Sequence, residues 1–151
     1  MILIRRARPE EADVLSQIAI AAKGHWNYPE HWMKLWIPQL TFGPAYFEQN
    51  ESWTAELDGE AIAFYTIQER DGNAWLENIW VLPMYIGHGV GKELFLHVIS
   101  RSRELGFNTL KLEADPNAVG FYEKMGMRKV GEYRYDLDGQ PRILPIMEMK
   151  L

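Results

Sequence analysis

The stretch Val81-Leu82-Pro83-Met84-Tyr85-Ile86-Gly87-His88-Gly89-Val90-Gly91-Lys92 sits where a strand-like run ends and a helical run begins. Upstream lies Trp75 to Val81, bounded by a turn. Downstream, Leu94, Phe95, Val98, Ser102 and Leu105 recur on one helical face until Gly106, a residue suited to a helix C-terminus. Three alternate glycines at the junction let the backbone approach a ligand closely. Free N–H groups at a helix start, together with the positive end of the helix dipole, make an anion site that needs no basic side chain. A phosphate is the expected occupant, and Lys92 can add a charge. The other reading of the same residues is a tight turn whose small side chains serve packing alone.

Two nucleotide-binding loops compete for this stretch. A dinucleotide loop would use Glu113, at the end of the next strand, as its ribose acid. However, the glycines run Gly-x-Gly-x-Gly instead of Gly-x-Gly-x-x-Gly, and the preceding strands read antiparallel. A Walker loop lacks both its four-residue spacer and the Ser or Thr after lysine, since Gly91-Lys92 is followed by Glu93.

Working outward, Trp53 to Leu57, Ala61 to Gln68 and Trp75 to Val81 are strand-like runs separated by Asp58-Gly59 and Asp71-Gly72, which predicts an antiparallel meander. Ile2-Leu3-Ile4 reads as a short strand, and Arg8-Pro9-Glu10-Glu11 opens a helix whose buried face is Ala12, Leu15, Ile18, Ala19 and Ala22. Gly24 to Phe47 is aromatic and punctuated by proline, as expected of short helices and loops. After the long helix come a strand at Thr109 to Glu113 and a short helix opened by Asp115-Pro116. Two strands, Arg128 to Tyr135 and Ile143 to Leu151, then flank Asp138-Gly139. The order predicts an α/β fold of α+β type: a mixed, mostly antiparallel sheet of about seven strands flanked by helices.

At 151 residues the chain is expected to form a single domain spanning 1–151. Its 16 basic and 21 acidic residues leave a formal net charge of -5, which argues against a nucleic-acid partner. With no cysteine, thiolate metal sites, disulfides and a cysteine nucleophile are excluded; His25, His31, His88 and His97 show no zinc-ligand spacing, so no metal is assigned. No apolar run suits a signal peptide or a membrane span, and the expectation is a cytoplasmic protein with no membrane partner.

The stretch from Val81-Leu82-Pro83 to Gly91 resembles the acetyl-CoA-binding signature of the GNAT superfamily of N-acetyltransferases. Asn117-Ala118-Val119-Gly120-Phe121-Tyr122-Glu123-Lys124-Met125-Gly126-Met127 is similar to that family's later motif. The element order also resembles the family's over essentially the whole chain. The resemblance implies transfer of acetyl from acetyl-CoA to a primary amine, by direct attack in a ternary complex. It also implies a cofactor site built from Ile79, Trp80, Val81, Ile86, Gly87, His88, Gly89, Val90, Gly91, Lys92, Asn117 and Gly120. The pantetheine arm would pair with the strand end at Ile79 to Val81 like an added strand, and a backbone N–H near Val81 would polarise the thioester carbonyl. One departure stands out: Ile86 occupies a position where the family usually carries Arg or Gln, so the grip on pyrophosphate is expected to be mostly backbone. The family also often pairs through its sheet edge or final strands, which makes a homodimer an expectation.

Two protons must move, one from the attacking ammonium and one to the departing thiolate. Tyr122 occupies the family's tyrosine position and is the candidate acid; the other reading is a core aromatic beside Phe121. Glu77 is the candidate base, mid-strand among apolar neighbours that would raise its proton affinity, with a solvent-facing strand glutamate or a structural ion pair as the alternative. For the acceptor, a small-molecule or protein amine, Trp26, Tyr28 and Glu30 lie where the family places its variable substrate loop. Aromatics with an acid can embrace an ammonium, or these rings can simply pack the helices on the sheet. A non-catalytic acyl-CoA-binding module with the same fold is the alternative function.

Overall fold

Asp58-Gly59, Asp71-Gly72 and Asp138-Gly139 each place two successive residues at positive φ, between 52° and 83°. This is the two-residue turn whose twist matches that of paired strands, and it fixes three hairpins. In the computed structural model, which describes Met1–Leu151, these turns join β2 (Glu51–Leu57) to β3 (Glu60–Arg70), β3 to β4 (Asn73–Val81), and β6 (Arg128–Leu137) to β7 (Gln140–Lys150). With β1 (Leu3–Arg6) and β5 (Thr109–Glu113) they form one seven-stranded sheet in the order β1-β2-β3-β4-β5-β7-β6. Every pairing is antiparallel except that of β4 with β5.

Side chains alternate across the sheet and supply a core on each face. Phe64 on β3 joins Leu15, Ile18, Trp36 and Phe47 from α1 (Ala12–Gly24), α2 (Glu30–Trp36) and α3 (Pro44–Gln49). Its neighbours Ala63 and Tyr65 face the other way, against Leu94, Phe95 and Val98 of α4 (Val90–Glu104) and Tyr122 of α5 (Val119–Lys124). The expected buried face of α1 is observed in full. On α4, Leu105 falls just past the helix end and is exposed, while Val90 and Ile99 complete the buried stripe. No helix is long and apolar enough to cross a membrane.

The feature that positions the site is the junction of β4 and β5. Their parallel ladder consists of Ala74 with Leu110 and Trp75 with Lys111, and goes no further. On its other edge β4 carries an irregularity: Thr66 opposes Asn78 and Ile67 opposes Leu76, leaving Glu77 without a partner. A bulge of this kind bends the strand and increases its twist. Beyond Trp75, β4 and β5 diverge into a V.

Candidate active site

Two cavities meet in that V. The first, about 480 Å³, is bordered by Ile79, Trp80 and Val81 on β4, the loop with Ile86, Gly87 and Gly89, the start of α4, and Asn117, Phe121 and Tyr122. The second, about 430 Å³, lies towards α1, α2 and β7 and is bordered by Lys23, Trp36, Tyr46, Asn78, Tyr135 and Arg142. Glu77, Trp80, Glu113 and Asp115 border both.

The first cavity has the chemistry of an anion and amide site. Gly87 and Gly89 have φ of 85° and 81°, where a side chain is strained, and Gly89 is the N-cap of α4. The first amide of α4 to find a backbone acceptor is that of Glu93, which donates to Gly89 O at 3.1 Å, so the N–H groups of Val90, Gly91 and Lys92 are free. Gly91 is under no such backbone constraint: a Cβ there would rest on the ring of Phe121 at 3.6 Å, an ordinary contact distance. The β4 edge facing β5 is unpaired after Trp75, which leaves backbone groups for an extended, amide-containing ligand. Pyrophosphate and pantetheine fit these donors, and Lys92 borders the same cavity.

Among the other residues assigned to the cofactor from sequence, His88, Val90 and Gly120 do not border the cavity: Val90 is buried in the core, and His88 donates its amide to Tyr85 O at 3.3 Å. Tyr122 is a core aromatic that also reaches the cavity wall. Its ring packs on Phe95 and Phe121. Burial, followed by the nearby Asp115 carboxylate, pushes the phenol well above the ordinary tyrosine range, so it stays protonated at neutral pH.

Glu77 does not stand among apolar neighbours alone. Arg70, projecting from β3, donates to its Oε1 from Nε at 2.8 Å and from Nη2 as well, and lies over the Trp75 ring. The same guanidinium is 3.8 Å from Glu113. Burial raises the proton affinity of Glu113, with Glu77 adding to the effect and Arg70 opposing it. Glu77 and Glu113 are therefore a carboxylate pair sharing one cation.

The residues expected at the acceptor loop separate. Trp26 stands half exposed at the rim of the first cavity. The Glu30 side chain is 88% exposed, pairs loosely with Lys34 and borders neither cavity. Tyr28 enters a polar network: its hydroxyl donates to Asp115 at 2.7 Å and accepts from Asn117 Nδ2 at 3.0 Å and from Arg142 Nη2 at 3.1 Å. Lys23 donates to Asp115 at 2.8 Å. Burial alone would raise the proton affinity of Asp115, but Lys23 and the hydrogen bonds from Asn117 and Tyr28 together hold it below the ordinary aspartate range. The cations embraced by the aromatic stretch are the chain's own: Lys23 lies over Trp36 at 4.3 Å and Arg142 over Tyr28 at 4.9 Å.

Sequence reasoning missed Lys23, Arg70, Asp115 and Arg142 as site residues. Only Asp115 left a signal, as an Asp-Pro helix start. Its carboxylate does cap that start, accepting from Asn117 N at 2.9 Å, but also gathers the network.

A family model described as "Acetyltransferase (GNAT) family" matches residues 13–127, which span the β4–α4 junction and the Asn117 to Tyr122 helix. The chain belongs to the GNAT family of acetyltransferases. It is 33% identical over 140 residues to a 5-NmdU N-acetyltransferase of Pseudomonas phage PaMx11, covering 87% of this chain and 91% of that one. It is also 28% identical over 145 residues to the peptidyl-lysine N-acetyltransferase YjaB of Salmonella typhimurium, covering 93% of each. Among solved structures, PaiA N-acetyltransferase from Thermoplasma acidophilum in complex with coenzyme A shares the fold, with a TM-score of 0.81 at 23% identity over 100% of this chain and 99% of that one. This protein is thus an acetyltransferase, with the mixed seven-stranded sheet expected from its sequence.

Proposed function

We propose that the protein transfers an acetyl group from acetyl-CoA to a primary amine by direct attack, with both substrates bound together. The observation that carries this reading is the meeting of two cavities in the V between β4 and β5, one fitted to a pyrophosphate and an amide-rich arm, the other lined with acids and aromatic rings. Two substrates held in adjoining cavities meet without a covalent enzyme intermediate, which suits a chain with no cysteine.

In this reading the free N–H groups at the start of α4 hold the pyrophosphate, with Lys92 beside them. The unpaired edge at Ile79 to Val81 aligns the pantetheine arm, and an N–H there polarises the thioester carbonyl. Tyr122 keeps its proton at neutral pH and donates it to the leaving thiolate. Glu77, at the bulge, takes the ammonium proton through a bound water, with Arg70 fixing the carboxylate's orientation. Both relatives named above act on amines according to their names, which supports the acceptor class.

The test is thiol release from acetyl-CoA with a panel of amines. Amine-dependent release supports the reading, and replacing Tyr122 by Phe should lower kcat by about 10²-fold or more, with little change in CoA affinity. Unchanged turnover in that variant defeats the acid role. Tight CoA binding with no amine-stimulated release by the wild type would make the protein an acyl-CoA-binding module instead.

A further inference from the structure

Charge on the acceptor side of the V is divided unevenly between its two ends. At one end, two cations share one carboxylate: Lys23 Nζ is 2.8 Å and Arg142 Nη2 is 3.6 Å from Asp115 Oδ2. The side chains of Lys23 and Arg142 are only 12% and 9% exposed. A guanidinium has five N–H donors; that of Arg142 makes one hydrogen bond, from Nη2 to Tyr28, and its Nε is buried without a partner. Tyr28, Trp36 and Trp32 lie against the guanidinium at 4.9, 5.0 and 5.8 Å. Ring faces stabilise the cation but accept none of its in-plane hydrogen bonds. At the other end the proportions reverse, with Glu77 and Glu113 sharing Arg70.

The cavity therefore has a surplus positive charge near Asp115 and a surplus negative charge near Glu77. A buried surplus charge is costly unless a ligand completes it, and a fork of unused N–H donors is best completed by an oxyanion. Glu113 and Asp115 are two residues apart on nearly extended chain, a span of roughly 7 Å.

We propose that the acceptor is a small primary amine bearing an oxyanion, carboxylate or phosphate, several bonds from its nitrogen. Arg142, with Lys23, binds the oxyanion, and the nitrogen lies towards Glu77 and Glu113. This inference rests on the amine acetylation proposed above and narrows its substrate class. It makes Arg142 a specificity-determining residue, one that sits far along the chain from every motif of the cofactor site.

The experiment compares matched amines in the CoA-release assay: 6-aminohexanoate against hexylamine, and 3-aminopropyl phosphate against 3-aminopropanol. The wild type should favour the acid-bearing member of at least one pair by about tenfold or more in kcat/KM, mainly through KM. The favoured pair identifies the oxyanion. In Arg142→Gln the ratio within that pair should collapse towards one, and Arg142→Lys should keep part of it. Wild-type ratios near or below one in both pairs overturn the inference while leaving amine acetylation standing, whatever the fate of the variants. A ratio that persists in folded Arg142→Gln also overturns it. Release stimulated by other amines of the wider panel but by no member of either pair overturns this inference alone, and no amine-stimulated release across that panel overturns the proposed function and this inference together.

Discussion

Asp115 and Glu113 stand two residues apart at the tip of β5, and their environments push them in opposite directions. Asp115 is held ionised by Lys23 and its hydrogen-bond donors. Its contribution to stability is present above the ordinary aspartate value of 3.8 and is lost as pH falls through its lower folded value. Asp115→Asn would leave Lys23 and Arg142 facing each other with no counter-charge, and should cost about 3–5 kcal/mol in urea unfolding at neutral pH. Glu113 is the reverse: its folded carboxyl binds a proton more tightly than the ordinary 4.5, so the native state loses stability as pH rises through that window. Glu113→Gln should therefore raise the Tm at pH 8, with the gain vanishing below about pH 4.5, because Arg70 keeps Glu77 as its partner. A loss of Tm at pH 8 would mean the Arg70 contact outweighs the burial cost. At this scale the sequence was legible only where residues cluster in a motif. Asn117 and Tyr122 could be placed, whereas Lys23 and Arg142 come from opposite ends of the chain and meet at Asp115 through tertiary packing alone.

At the scale of elements, the glycine loop divides into a residue whose backbone requires glycine and one whose backbone does not. Gly89 caps α4 in the left-handed region at φ 81°, where a Cβ would meet no atom but would strain the backbone. Gly91 has ordinary helical geometry, and its absent Cβ faces Phe121 at ordinary contact distance. Gly89→Ala should thus destabilise by about 1–2 kcal/mol, whereas Gly91→Ala should be neutral or stabilising by up to about 1 kcal/mol. Denaturant unfolding of the two variants side by side checks the contrast, and equal costs would refute it. The hairpins were readable because Asp-Gly pairs announce their turns chemically. The bulge was not: skipping Glu77 shifts the alternation of β4 by one residue, and single-residue shifts leave little trace in a short apolar run. For the same reason Glu77 was expected among apolar neighbours when its bulged position delivers it to Arg70.

At the scale of the whole molecule, the sheet is two half-sheets joined at one corner. Strands β1 to β4 form one half and β5, β7 and β6 the other, and only Ala74 with Leu110 and Trp75 with Lys111 link them directly. The open part of the V is bridged by packing of Leu94, Phe95 and Tyr122 beneath it. A ligand lying along β4 and touching Leu112, Asn117 and Phe121 on the far side would tie the halves together. Binding to the native state alone stabilises by RT ln(1 + [L]/Kd), about 2.7 kcal/mol at a hundredfold excess over Kd. For a chain of this size that corresponds to a Tm increase of roughly 5–10 °C. CoA at that excess should produce such a shift. In the proposed function backbone N–H groups hold the pyrophosphate with Lys92 as the charged helper, so Lys92→Met should keep most of the shift. Pantetheine, which lacks the pyrophosphate, should give a much smaller shift at equal concentration. Equal shifts from CoA and pantetheine would locate the binding energy in the β4 edge, and the glycine loop would then be a turn selected for packing.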